Sequence, residues 1–193
     1  MNQLLINPFA KYSENKLLSI GIIANLLLIA LCFVLNTLLA GNLKIVYLNK
    51  IDLNSALFSN GIIVAITTIG IYILGQVINK KTRFIDILNT VLISRCVLVL
   101  FPLLNINNLF YVLSERIKNT LIVANTAKIL SSDLYVLLLL CVPIIIALIW
   151  FFILLFNGFK IATNAKGSKV VAQFAGTLII IEIITRLLIL NFL

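Results

Sequence analysis

Long apolar runs separated by short clusters of charge are the feature that most limits what this chain can fold into. A helix of about 20 apolar residues spans the hydrocarbon core of a bilayer. Of the 193 residues, 62% are hydrophobic and 11% are charged, whereas a soluble domain has roughly 25% charged residues. A water-soluble fold would therefore lack the polar side chains that must cover its surface. The sequence predicts a multi-pass integral membrane protein.

The apolar runs predict an all-α, polytopic transmembrane helical bundle with about five spans. The spans are predicted at approximately 17–40, 56–78, 84–106, 134–156 and 170–193, within a single domain over 1–193. The third span contains Asp86, Asn89 and Arg95, and Pro102 can break its far end. A tilted or re-entrant segment is therefore the alternative for this span. The more polar segment 107–133 has apolar residues at helical spacing, which predicts an amphipathic helix at the membrane interface.

The distribution of Lys and Arg predicts a cytoplasmic N-terminus and a C-terminus on the other side of the membrane. In this orientation eight cations are cytoplasmic and five are not. The cytoplasmic set is Lys11, Lys16, Lys80, Lys81, Arg83, Lys160, Lys166 and Lys169, and the other set is Lys44, Lys50, Arg116, Lys118 and Lys128. The formal net charge of +9 is accordingly assigned to contact with anionic lipid headgroups, and nucleic acid is not an expected partner.

Small and hydrogen-bonding side chains form a stripe on each of the first two spans. The stripes are Gly21, Asn25, Cys32 and Asn36 on span 1, and Gly61, Ala65, Thr68, Tyr72 and Gln76 on span 2. Such stripes allow helices to pack closely in lipid. Helix packing is therefore the predicted role, with the lining of a pore as the alternative.

Three charged side chains lie near the middle of the membrane in the predicted spans, namely Arg95 in span 3 and Glu182 and Arg186 in span 5. A charge at the bilayer centre costs about 2.5–3.5 kcal/mol on insertion scales, so it needs a partner or a cavity. Arg95 and Glu182 have nearly equal predicted depths, which predicts an ion pair between the two spans. Glu182 and Arg186 are four residues apart on one helical face. This intramembrane polar cluster either holds the spans together or binds an anionic headgroup, a proton or a small solute.

A second group of charges, Lys80, Lys81, Arg83 and Asp86, lies at the cytoplasmic start of span 3. Asp86 is expected to complement the helix dipole and to pair with Arg83. This basic surface is predicted to stabilise the helix start, with a partner-binding surface as the alternative.

The sequence offers no constellation for catalysis. It has no His, only six carboxylates, and no glycine-rich phosphate loop. Its three Cys residues are isolated within apolar runs. We therefore predict no catalytic residues, no metal site, no cofactor and no enzymatic activity.

Several segments resemble bacterial members of the Yip1-domain family. They are Ile6-Asn7-Pro8-Phe9 with Tyr12-Ser13, the sequence GQVINKKTRFIDILNTVLISR at 75–95, PLLNI at 102–106 and LFNGFK at 155–160. The resemblance implies a five-span helical domain with a cytoplasmic N-terminus, in a bacterial inner membrane. Eukaryotic relatives are associated with membrane traffic and Rab-type GTPases. That role is not transferred, because this sequence lacks their long cytoplasmic N-terminal region.

The expected function is that of a non-enzymatic protein that organises the membrane through helix–helix contacts. Its expected partners are the lipid bilayer, anionic lipid headgroups and other membrane proteins. The alternative is a small transporter, channel or lipid-handling protein that uses Arg95, Glu182 and Arg186 as its polar site.

Overall fold

The computed structural model describes residues 6–123 and 131–192, which form a bundle of α-helices with one short β-hairpin. The helices are α1 (Glu14–Val34), α2 (Leu53–Ile78), α3 (Phe84–Arg95), α4 (Leu100–Leu103), α5 (Leu109–Val123), α6 (Ser131–Thr163) and α7 (Ser168–Phe192). Turns of 3₁₀ helix occur at Pro8–Ala10, Cys96–Val99 and Ile106–Asn108. Strands β1 (Thr37–Leu39) and β2 (Ile45–Tyr47) form the hairpin between α1 and α2.

Five helical segments in the described ranges are long and apolar enough to cross a membrane, which confirms the predicted number of apolar spans. They are Glu14–Val34, Leu53–Ile78, Phe84–Leu103, Asp133–Thr163 and Ser168–Ile189. The third ends at Leu103, three residues before the predicted end, where α4 gives way to a turn. The predicted amphipathic segment contains helix α5. Residues 124–130 of that segment and Leu193 of the fifth span lie outside the described residues.

The predicted extent of the first span, to residue 40, is wrong at its far end. Helix α1 ends at Val34, and the left-handed backbone of Asn36, with φ of 50°, reverses the chain. The next residues pair as antiparallel strands, with Leu38 opposite Val46. Residues 35–40 therefore belong to a turn and a buried strand, although their apolar composition is that of a spanning helix.

The hairpin returns from the end of α1 to the middle of the bundle. At its tip, the Asn42 Nδ2 atom donates a hydrogen bond of 2.9 Å to Thr67 Oγ1. Thr67 lies about 21 Å along α2 from Leu53, at 1.5 Å per residue. Lys44, which was predicted in a loop outside the membrane, therefore lies beside the tip at this level, and its carbonyl accepts from the Ala40 backbone N–H. The two strands of the hairpin pair with each other, and β1 is buried.

Helix α3 occupies the centre of the bundle, between α1 and α6, whereas α7 packs mainly against α2. Two polar contacts show which helix ends meet. Arg83 pairs with Glu14 where α3 and α1 begin, and Asn79 Nδ2 donates to the Thr163 carbonyl, at 3.1 Å, where α2 and α6 end. We call this side of the bundle, where α7 also begins, the basal end. All eight cations that were predicted to be cytoplasmic belong to it.

The packing role predicted for the polar stripes is confirmed at Gly21, Asn25 and Cys32, which are buried on α1, whereas Asn36 lies in the turn beyond the helix. On the second span this role is wrong at Gly61 and Ala65, which are exposed. A Cβ atom at Gly21 would lie 2.7 Å from Leu92 Cβ, so only glycine permits this approach of α1 to α3. At Gly61, no described atom lies within 4 Å of the place of a Cβ atom.

Replacing Gly158 by alanine should destabilise the fold, because α6 approaches α3 most closely there. The added Cβ atom would lie 2.5 Å from Thr90 Cγ2 and 2.9 Å from Phe9 Cε2. Overpacking of this kind typically costs about 1–3 kcal/mol. The matched control is Gly176→Ala on α7, where the space is open and the change should stabilise the helix by up to about 1 kcal/mol. Thermal unfolding in mild detergent would measure both variants, and equal melting temperatures would contradict the expectation.

Candidate functional site

The Arg95 side chain is fully buried, and it is one of the largest fully buried side chains among the described residues. Its Nε atom donates to Asn25 Oδ1 at 3.1 Å, and its Nη2 atom donates to Asn60 Oδ1 at 2.8 Å. Its Nη1 atom has no hydrogen-bond partner among the described residues. The guanidinium therefore joins α1, α2 and α3 through two amide side chains, and we call these three residues the Arg95 centre.

The predicted ion pair between Arg95 and Glu182 is not formed. Within the described ranges, the Glu182 carboxylate pairs with Arg186, and Arg95 has no carboxylate within ion-pair distance. The physical reason is the arrangement of the helices, since α3 packs against α1 and α6 while α7 packs against α2. Equal depth along two helices does not make those helices neighbours.

Glu182 instead fixes the tip of the hairpin to the middle of α7. Its Oε2 atom accepts from the Asn42 backbone N–H at 2.8 Å, and the Leu43 N–H lies 3.3 Å from both carboxylate oxygens. The Arg186 Nε atom donates to Oε1 at 2.9 Å, which confirms the predicted proximity of Glu182 and Arg186. The residue is only 7% exposed. We call Glu182, Arg186 and the Asn42–Leu43 backbone the Glu182 latch.

The latch requires a glycine immediately before Asn42. A Cβ atom at Gly41 would lie 2.5 Å from Glu182 Oε1 and 2.9 Å from its Cδ and Oε2 atoms. The missing side chain lets two successive backbone N–H groups point at the carboxylate. Hydrogen bonds to a charged group of this kind are shorter and stronger than those between neutral groups.

An apolar groove of about 450 Å³ runs between α6 and α7 and ends at the latch. Apolar side chains form its walls, namely Phe152, Ile153 and Phe156 on α6 and Val171, Phe174, Ala175, Leu178 and Ile179 on α7. At its other end, the Phe174 ring packs between Phe156 and Phe159 with centroid distances of 5.2 and 5.1 Å. We call this feature the α6–α7 groove, and its volume is in the range of roughly 300–1,000 Å³ of small-molecule sites.

One buried acceptor at the latch end of the groove is unsatisfied. Asn42 lines the groove and is 5% exposed, and its Oδ1 atom has no hydrogen-bond partner among the described residues. The Glu182 carboxylate, by contrast, accepts from three donors. The latch end of the groove therefore carries an ion pair with no net charge, Glu182 with Arg186, and one acceptor without a partner, Asn42 Oδ1.

The basic surface predicted at the start of span 3 is present at the basal end. Lys80, Lys81 and Arg83 are exposed. Arg83 donates two hydrogen bonds to Asp86, at 2.9 and 2.7 Å, as predicted, and it also pairs with Glu14. The carboxylates of Asp86 and Glu14 hold the pKa of Arg83 above its ordinary value. These exposed contacts join the starts of α1 and α3 and stabilise the bundle only modestly.

Sequence reasoning missed Gly41, Asn42 and Asn60 as site residues. The first two carry a recognisable signal, since a loop with Gly-Asn between Thr37–Leu39 and the β-branched and aromatic run Ile45–Tyr47 is typical of a hairpin. Asn60 carries none, because one amide in an apolar helix gives no indication of which neighbour it faces.

Searches against family models, curated proteins and solved structures find no match for this chain.

Proposed function

We propose that this chain is a lipid-handling membrane protein that holds an acyl chain of a bilayer lipid in the α6–α7 groove and performs no chemistry on it. The observation that carries the proposal is the groove itself, an apolar channel between two membrane-spanning helices with a latched hairpin across one end. The groove combines the features that such an occupant needs, namely apolar walls, an open side and a fixed end.

The open side of the groove belongs to the surface that faces lipid in a five-span bundle. Ile153, Val171 and Ile179 line the groove and are 40%, 51% and 63% exposed. Such surface in a membrane protein contacts hydrocarbon. An acyl chain can therefore enter sideways from the bilayer without crossing a polar barrier.

The hairpin supports a role beyond helix packing. Non-helical backbone at membrane depth occurs where it is buried in protein or lines a cavity, and intramembrane ionisable residues commonly mark functional sites. Here the hairpin tip and Glu182 are buried in the protein, and they also form the end wall of the groove. Helix association alone would not need a carboxylate that holds a hairpin in the middle of the bundle.

We further propose that the basal end faces the cytoplasm of a bacterial cell, since the larger set of cations lies there. We also propose that the chain is related to the Yip1-domain family. The segments quoted above and the five apolar helices support this part of the proposal.

Filling the groove should weaken lipid retention. Ala175 lies on the groove wall, so Ala175→Trp should place an indole where the acyl chain packs. We expect occupancy by added phosphatidylcholine to fall by about tenfold, the equivalent of roughly 1.4 kcal/mol. The measurement is the number of bound lipids in native mass spectra of the delipidated full-length chain during a lipid titration.

The matched control is Ile180→Trp, on the same helix and 58% exposed but outside the groove lining. It should leave occupancy unchanged. Equal lipid binding by the Ala175 and Ile180 variants would overturn the proposal.

A second candidate function is the organisation of other membrane proteins through helix contacts. The observation in its favour is α6, the least buried of the five spans. Co-purification of a stoichiometric membrane protein that is lost when bulky exposed residues of α6 are replaced, with no retained lipid, would favour this function over lipid handling.

A further inference from the structure

A polar pocket of about 560 Å³ lies at the basal end, beside the turn that joins α6 to α7. Its polar lining comes from Asn7, Asn157, Lys160, Asn164 and Lys166. We call it the basal pocket. The sequence placed Lys160 and Lys166 among the cytoplasmic cations but did not indicate a pocket, and none of these five side chains lines the α6–α7 groove.

The fold holds the pocket walls in place from two sides. Asn157 Nδ2 donates to the Ile6 carbonyl at 3.0 Å, which attaches the N-terminal segment to α6. The turn is shaped by the left-handed backbone of Asn164 and Gly167, with φ of 51° and 94°. The Ala165 N–H donates to the Lys160 carbonyl at 3.3 Å and closes the end of α6.

The basal pocket has an excess of positive charge. Lys160 and Lys166 are exposed, and no described carboxylate lies within ion-pair distance of either ammonium group. Asn7 contributes a buried Oδ1 acceptor that has no partner among the described residues. Two cations and a spare acceptor suit an anion that also carries a hydrogen-bond donor.

Lys160 connects the basal pocket to the groove. Its Nζ atom lies 5.8 Å from the centroid of the Phe156 ring, and Phe156 is part of the groove wall. From Val171 to Glu182 the groove extends about 16 Å along α7, at 1.5 Å per residue. One leaflet is half of a hydrocarbon core of about 30 Å. The groove and the basal pocket together therefore match one leaflet and its headgroup.

We propose that the basal pocket binds the headgroup of an anionic phospholipid whose acyl chain occupies the α6–α7 groove. This inference rests on the proposed lipid-handling function and assigns its ligand class. The phosphate diester contacts Lys160 and Lys166, and a headgroup hydroxyl donates to Asn7 Oδ1. Phosphatidylglycerol has both groups, and basic pockets between transmembrane helices are known to favour anionic headgroups.

The test compares phosphatidylglycerol with phosphatidylcholine of the same chains, bound to the full-length chain in mild detergent. Lys160→Gln with Lys166→Gln should weaken phosphatidylglycerol binding by about 30-fold, or about 2 kcal/mol, because each lysine near a phosphate contributes about 1 kcal/mol. Phosphatidylcholine binding should change much less, because its choline cation offsets the charge of its phosphate. The control is Lys80→Gln with Lys81→Gln, which removes the same charge from the same end outside the pocket. It should preserve the preference for phosphatidylglycerol.

Three results would overturn the inference. They are an unchanged preference in the Lys160/Lys166 variant, an equal loss in the Lys80/Lys81 control, and displacement of the lipid by an equal concentration of glycerol phosphate, which would assign the pocket to a soluble phosphate. The same variants distinguish a failure of the groove proposal from a failure of the pocket proposal. If Ala175→Trp leaves both lipids bound while the Lys160/Lys166 variant selectively loses phosphatidylglycerol, the groove proposal fails and the pocket stands. If Ala175→Trp weakens the binding of both lipids while the Lys160/Lys166 variant binds both normally, the pocket proposal fails and the groove proposal stands.

Discussion

Replacing Arg95 by methionine should destabilise the protein by about 2–6 kcal/mol, although methionine fills much of the same volume. The Oδ1 atoms of Asn25 and Asn60 would each lose the donor that they have in the Arg95 centre. A buried polar atom without a partner costs about 1–3 kcal/mol. The large effect thus comes from the two amides that remain, and not from the loss of a charge.

The same reasoning predicts a rescue. Removing all partners of a buried hydrogen bond can be nearly neutral, whereas removing one partner is not. We therefore expect Arg95→Met combined with Asn25→Leu and Asn60→Leu to recover more than half of the lost stability. Arg95→Lys should fall between the wild type and Arg95→Met, because a single ammonium lacks the planar fork that reaches both amides.

Unfolding in mixtures of a mild detergent and dodecyl sulfate, followed by circular dichroism, would measure these variants. Lys118→Met is the control, since the Lys118 side chain is 64% exposed and its one ion pair with a described residue is a surface contact of 3.3 Å with Glu115. Its effect should be at most about 1 kcal/mol. A triple variant as unstable as Arg95→Met would show that the guanidinium itself, rather than the orphaned amides, determines the loss.

The five spans could be predicted because the length of an apolar run and the thickness of a bilayer are directly related. The span ends were less predictable. Residues 35–40 continue the apolar run of the helix before them, yet they form a turn and β1. Hydropathy identifies the solvent around a segment but not its backbone conformation, because a buried strand and a spanning helix have similar compositions.

The partners of the intramembrane charges could be predicted only within one helix. Glu182 and Arg186 meet because helical spacing places residues four apart on one face. Arg95 lies within the third apolar span, but its neighbours depend on which helices pack together, and that order is not encoded in any local pattern. Asn25 and Asn60 became recognisable as ligands of Arg95 only once α1, α2 and α3 were assembled.

The hairpin tip is the place where the smallest substitution should have the largest structural effect. Gly41→Ala adds one methyl group, which would lie 2.5 Å from Glu182 Oε1. The carboxylate must then move away from the Asn42 and Leu43 N–H groups. Hydrogen bonds to a charged group contribute about 1.5–3 kcal/mol each, so we expect a loss of about 3 kcal/mol.

The position of the loss separates this expectation from general destabilisation. Hydrogen exchange should accelerate at the amides of Asn42 and Leu43 before it does in α3, because the latch alone is broken. Gly61→Ala is the matched control, since the space around Gly61 is open and alanine should stabilise α2 by up to about 1 kcal/mol. Equal stability and equal exchange in the two variants would mean that the latch contributes nothing to the position of the hairpin.

Gly41→Ala should also lower lipid occupancy, because Asn42 and Glu182 form the end wall of the α6–α7 groove. Normal lipid occupancy in a variant with an open hairpin would show that the lipid site does not depend on the latch.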